Sequence, residues 1–187
     1  MSGNSRSKDG AILPGDAIKV KERANLSQSL SSMSPFIYET AVSPHLASKI
    51  EGSPVDLPTA NNKFKQLCLQ YDYVAIEGSG GIICPLRYDN QIIMLSDFIK
   101  FHNLPCLIVA DAGLGTINSV VLTAHFMQDL NINIKGIIFN NFKEKNILHE
   151  DNVYMCEKLT NLKVLDCIKT NEEDLHLSIS ALTQLFA

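Results

Sequence analysis

No stretch of this sequence reads G-x-x-x-x-G-K-[ST], the loop in which glycine N–H groups and one lysine hold nucleotide phosphates. No C-x-x-C pair occurs among the five cysteines, Cys68, Cys84, Cys106, Cys156 and Cys167, so neither a zinc site nor a dithiol redox site is indicated. They are expected to be reduced thiols packed in the core of a cytoplasmic protein. No apolar run approaches the ~18 residues that suggest a membrane span. The opening "MSGNSRSKDG" has no apolar h-region, so no secretory leader is expected. There is no basic excess either: a net charge of -4 gives no footing for non-specific nucleic-acid binding. The histidines do not cluster. His45 falls near a helix start, His125 in an apolar helix, and His102, His149 and His176 at expected surface positions.

What is present describes an ordinary globular chain. With 187 residues, 45% hydrophobic and 19% charged, one domain over residues 1–187 with a sizeable core is predicted. Met1 to Pro14 reads as loop. Asp16 to Ala24 reads as a short helix with Asp16 as its cap. "SPHLASKI" places Ser43 at an N-cap and Pro44 at the first helical position. "GSPVDLP" is a connector rich in helix breakers. Beyond it, Phe64, Leu67, Cys68 and Tyr71 have helical spacing, which predicts a helix from Ala60 to Gln70. A strand over Tyr73 to Ile76 follows, then a helix of three turns marked by Leu95, Phe98 and Ile99.

The remaining pattern is a strand over Pro105 to Ala110, a helix from near Thr116, a strand over "KGIIFN", a helix from Glu150 to Leu159, a strand at "KVLD" and a helix from Asp174 to Phe186. The strands are apolar throughout, as expected where both sheet faces are covered. Strands alternating with helices predict an α/β fold with a mostly parallel sheet and helices on both faces.

In such sheets ligands bind beyond the carboxyl ends of the strands. Three strand ends carry polar or glycine signals and are expected along one rim. "VAIEGSGG" gives Glu77 and then Gly78, Ser79, Gly80 and Gly81. A carboxylate followed by glycines suits Mg²⁺ held near phosphate oxygens, and equally a solvated turn. "LIVADAGLGTIN" gives Asp111, Gly113, Gly115, Thr116, Ile117 and Asn118 at a helix start, a place that favours an anion such as a carboxylate, or a plain βα turn capped by Thr116. "GIIFNNF" gives Asn140 and Asn141, whose amides pair with a base edge or serve simply as turn residues.

Together these segments resemble the dethiobiotin synthetases of the P-loop NTPase group. "IEGSGGIICPL" stands where that family reads close to V-E-G-A-G-G-x-x-x-P-L, and "GLGTINSVVLTAHFM" where it reads G-x-G-x-I-N-H-x-x-L-T. "GIIFNNF", "SPHLA" and "GDA" (Gly15 to Ala17) fall in family order, and the likeness runs from Ser2 to about Asp166. The resemblance implies an ATP- and Mg²⁺-dependent ligase that closes a cyclic urea from 7,8-diaminononanoate and CO₂, working as a cytoplasmic homodimer. It implies Asp16 and Glu77 as Mg²⁺ ligands, and Gly78, Ser79 and Gly80 beside the ATP phosphates. Asn140 and Asn141 would stand at the adenine, and Ser2 and Gly115 to Asn118 at the substrate, the latter across the dimer interface.

The family opens with a strand, a P-loop, a helix and a strand ending in Lys-Pro before Ser-Gly. This chain's "MSG" stands level with that Ser-Gly, so an N-terminally incomplete chain, poorly stable and without ATP turnover alone, is expected. Ile168-Lys169 stands where the family has Ile-Pro, and Ser119 where it has His. Two alternatives remain open: a non-catalytic relic or dimerising binding partner of the same fold, and another P-loop-group ATPase of the MinD/cobyrinate-amidase kind. The "GLGTIN" helix start speaks against the last.

Overall fold

The computed structural model describes residues 5–6, 10 and 12–187. The expected substrate residue Ser2 lies outside them. The chain divides into two compact units, residues 1–98 and 99–187.

In the first unit, β1 (Ser5–Arg6) and β2 (Ile12–Leu13) pair antiparallel inside the stretch expected to be loop. Helix α1 (Gly15–Arg23) begins one residue earlier than expected, so Asp16 is not its cap. Pro14 takes that place, and its carbonyl accepts from Ile18 N–H at 3.0 Å. Asp16 instead lies in the first turn, where the helix dipole favours a carboxylate. The single-turn α2 (Leu30–Met33) precedes α3 (Pro44–Ile50), which has Ser43 and Pro44 where the sequence puts them. Helix α4 (Leu57–Gln70) starts three residues ahead of the expected Ala60. The reason is Asp56, whose carboxylate accepts from Thr59 N–H at 2.9 Å and from the Thr59 hydroxyl at 2.7 Å. Pro58 falls in the first turn, where no N–H is needed, so the breaker-rich connector holds a helix start.

The stretch Tyr73 to Ile76 is not a strand. A strand exists through its ladder, and no described strand pairs with these residues. Tyr73 and Ile76 are accordingly exposed. After it, β3 (Pro85–Tyr88) and β4 (Ile92–Met94) form a hairpin where the sequence pattern places no strand. Asp89 pins its turn by accepting from Gln91 N–H and from Arg87 Nε, both at 2.8 Å. Helix α5 (Leu95–His102) follows directly and is shorter than three turns.

In the second unit, β5 (Cys106–Asp111), β6 (Ile134–Phe142) and β7 (Val164–Lys169) form a parallel sheet in that order. This is the α/β architecture that the alternation predicts. The crossovers are α6 (Thr116–Asp129) and α7 (Ile147–Thr160), which pack on each other, with α6 also packed on β5 and β6. The central strand β6 has four consecutive buried residues, Gly136 to Phe139. On β5 the pattern alternates instead: Ile108 is buried, while Val109 is 67% exposed. Helix α8 (Ile179–Gln184) is shorter than expected. Asp166 draws the preceding chain out of helix, accepting from His176 N–H at 2.6 Å and facing the His176 ring at 3.1 Å. Glu172 holds the other ring nitrogen at 3.0 Å. Asp166 and then Glu172 hold the His176 imidazole above its ordinary pKa.

Two sequence expectations about side chains change. Only Cys156 among the cysteines is buried, and burial pushes its thiol up to about 11. Cys68 is exposed because no residue of α4 is buried. His149 is not a surface residue: it is buried, and its Nδ1 accepts from Lys143 N–H at 3.1 Å.

Four helices end at an asparagine with left-handed backbone, at Asn25, Asn103, Asn131 and Asn161. After α1, α5 and α6 the next residue closes a six-residue ring of the Schellman type: Leu26 N–H to Lys21 O, Leu104 N–H to Ile99 O and Ile132 N–H to Met127 O. Each of those next residues is apolar, the contact that accompanies this motif.

Gly136 is the tightest point of the sheet. Its φ is +154°, and a Cβ there would stand 2.7 Å from both the Lys163 carbonyl oxygen and Leu165 Cγ. Gly136→Ala is expected to cost about 1–3 kcal/mol, the range for overpacking. Urea denaturation checks this; an unchanged midpoint would show that β7 yields without cost.

Candidate functional site

In the first unit the site residues are one carboxylate and a glycine loop. Glu77, Gly78, Ser79 and Gly80 are all exposed. Two glycines are required by the geometry. A Cβ at Gly78 would meet Leu95 Cδ2 at 2.7 Å, and Gly80 has a φ of +81°. The loop therefore presents bare backbone beside the Glu77 carboxylate. Asp16 is likewise exposed, in the first turn of α1. Among the described residues no group of three or more His, Cys, Asp or Glu side chains converges on a metal position. Magnesium does not demand one: it keeps several waters and takes one or two carboxylates plus phosphate oxygens. The exposed Glu77 carboxylate beside its glycine loop is of the donor type such a site uses.

In the second unit β5 ends beside β6, with Asp111 the register partner of Asn140 two residues before β6 itself ends. Asp111 accepts from Gly113 N–H through Oδ1 at 2.8 Å and from Asn141 Nδ2 through Oδ2 at 2.7 Å. The Asn141 bond first, and then the Gly113 bond, hold the Asp111 carboxyl below its usual range. Asn141 is left-handed with φ of 57°, and its N–H donates to Asn140 Oδ1 at 2.9 Å. From α7, the buried Asn152 donates its amide to the carbonyls of Ala112 and Gly113 at 2.9 and 3.0 Å. Sequence reading missed Asn152; a lone amide between the apolar Leu148 and Cys156 of α7 was the one available signal.

The loop so held delivers the start of α6. Gly115 is its N-cap residue, left-handed with φ of 91°, and has no side chain to satisfy the first-turn N–H groups. A pocket of about 550 Å³ opens there, lined among others by Leu114, Gly115, Ile117, Asn118, Leu122 and Asn152. Of the five residues expected at the substrate, Gly115, Ile117 and Asn118 share one pocket. Thr116 is different: it is buried, and its hydroxyl has no hydrogen-bond partner. The two departures from the family pattern have local uses. Ser119 donates its hydroxyl to Thr116 O at 3.1 Å. Lys169 donates its N–H to Glu172 at 2.9 Å, a bond proline cannot make, and its Nζ pairs with Glu144 at 2.7 Å.

Residues 8–175 match the protein family described as "AAA domain". By fold and by this match the chain is an α/β protein of the AAA-domain class. It is 47% identical over 158 residues to an ATP-dependent dethiobiotin synthetase of Brachyspira hyodysenteriae, covering 84% of this chain and 72% of that protein. To the enzyme of that name from Clostridium novyi it is 44% identical, covering 84% and 66%. To that of Clostridium botulinum (type A) it is 38% identical over 187 residues, covering 100% and 81%. The chain belongs to the dethiobiotin synthetase family. No helix among the described residues is long and apolar enough to cross a membrane.

The orphaned Thr116 hydroxyl makes a stability test. Replacing a buried unsatisfied polar group by an apolar one of the same shape is neutral or stabilising. Thr116→Val is therefore expected to keep or raise the urea midpoint; a clear fall would reveal a partner for that hydroxyl.

Proposed function

We propose that this chain performs the chemistry named for its relatives: ATP-dependent closure of a cyclic urea from 7,8-diaminononanoate and CO₂, giving dethiobiotin, ADP and phosphate. One amine, carbamylated by CO₂, gives its carbamate oxygen to the γ-phosphate; the second amine then attacks the carbonyl carbon and phosphate leaves. Such chemistry asks the protein mainly to position and to neutralise charge. The observation that carries this reading is the α6 start, where unsatisfied N–H groups and Asn118 border a pocket also lined by Leu114, Ile117 and Leu122. That combination suits an aliphatic chain ending in a carboxylate.

The remaining roles follow by position. Gly115 to Asn118, with Ser2, take the substrate. Asn140 and Asn141 stand at the adenine edge, and Gly78, Ser79 and Gly80 border the phosphates. Asp16 and Glu77 would hold Mg²⁺, which when bound neutralises the phosphate charge that builds during transfer. Glu77→Gln is expected to remove the Mg²⁺ enhancement of ATP binding, measured by calorimetry with and without the metal. Its urea midpoint should be unchanged, because Glu77 is exposed. Unaltered metal dependence would return this carboxylate to a turn residue.

A second reading is binding without turnover by a protein of the same fold. The two separate in one experiment. Dethiobiotin formed from diaminononanoate, bicarbonate and Mg-ATP supports the enzyme; binding of both ligands with no product supports the alternative.

The pocket also supports the dimer. Leu114 is 91% exposed and Leu122 is 61% exposed, large apolar surface on the rim of a ligand site. Sedimentation is expected to show a dimer that Leu122→Glu converts to monomer with weaker diaminononanoate binding. A wild-type monomer that binds diaminononanoate would overturn this.

A further inference from the structure

One side chain joins two segments to which the proposed function gives different ligands. Asp111 takes the loop before α6 with Oδ1, through Gly113 N–H, and the C-terminal end of β6 with Oδ2, through Asn141 Nδ2. The loop before α6 carries Gly115, Ile117 and Asn118 into the pocket. The end of β6 carries Asn140, whose own Oδ1 is oriented by Asn141 N–H. The backbone adds a parallel link, Ala112 N–H to Asn140 O at 2.9 Å. No other described side chain bonds to both segments: Asn152 holds only the carbonyls of Ala112 and Gly113.

We propose that Asp111 is a positioning residue that sets the base-reading end of β6 and the carboxylate-binding helix start in one fixed relation. It touches neither ligand. Its two oxygens fix where Asn140 and Asn118 stand, so its loss weakens both ligands although every contact side chain is still present. The inference rests on the roles given above to Asn140 and to Gly115–Asn118.

The chemistry of the pair offers a rescue. Asp111→Asn puts an amide N–H₂ against the Asn141 amide, donor against donor. Adding Asn141→Asp reverses the pair: residue 111 then donates to residue 141, and its remaining oxygen still accepts from Gly113 N–H. Calorimetry on the full chain would give affinities for ATP, GTP and diaminononanoate in these variants and in Asp111→Ala. Asp111→Ala and Asp111→Asn are each expected to weaken ATP and diaminononanoate by about tenfold, the worth of a charge-assisted bond, and to narrow the preference for ATP over GTP. The paired exchange is expected to recover most of both affinities, which a merely destabilising lesion would not.

A folded Asp111→Ala with both affinities intact overturns the proposal, as does a folded paired exchange that binds no better than Asp111→Asn. If Asp111→Ala does not fold, the paired exchange decides alone. Asn140→Ala separates the layers. ATP binding unchanged in that variant overturns the base-reading role and this inference with it. ATP weakened there, while Asp111→Ala binds both ligands normally, overturns this inference only.

Discussion

The parallel pairing of β5 with β6 sets Asp111 level with Asn140, and the candidate site in residues 99–187 depends on that register. A slip of one residue would turn Asp111 to the other face of the sheet. Its carboxylate would keep the local Gly113 bond but lose Asn141, and the chain entering α6 would lose its side-chain tie to β6. The register is itself tightly specified, because β6 buries Gly136 to Phe139 without a break. Gly136 lets the β7 backbone approach on the far side. Packing deep in the sheet thus determines where the exposed end of β6 and the loop before α6 stand. Asn152 completes the arrangement from α7 by donating to the Ala112 and Gly113 carbonyls, the first of them in a fully buried residue beside a helix start.

The glycine loop of the first unit is governed differently. Its shape comes from what cannot fit: no side chain at Gly78, against Leu95, and no ordinary residue at Gly80, with its positive φ. What remains exposed is backbone and one carboxylate. That is a sensible surface for a ligand that brings its own oxygens and metal, since the protein needs only to avoid obstruction and to offer negative charge at one point.

Much of the second unit was legible in the sequence because its signals are local. The apolar run of β5, the glycine before Thr116 and the spacing of Ile117, Val120, Val121 and Ala124 each announce their element within a few residues. Helix starts set by distant reasoning were less legible. Asp56 moved α4 forward through a bond three residues away, beneath a connector whose prolines suggested a break. Asp166 shortened α8 by holding His176, ten residues on. The strand expected at Tyr73 to Ile76 shows the general limit: composition can make a segment fit for a ladder, but only a neighbour makes it a strand. In the candidate site, the individual residues were readable and their joints were not. Asp111 was visible as a strand-end acid, yet nothing in its surroundings names Asn141, thirty residues later, as its partner.

The asparagine-ended helices carry a consequence for the denatured chain. Glycine at Asn25, Asn103, Asn131 and Asn161 would adopt the left-handed turn without strain, but it would also give the unfolded polypeptide more conformations to lose. Asparagine tolerates that turn and restricts the unfolded ensemble, so part of what holds these four helix ends lies in the state that has no helices at all. A comparison of native contacts alone would find no difference between the two residues.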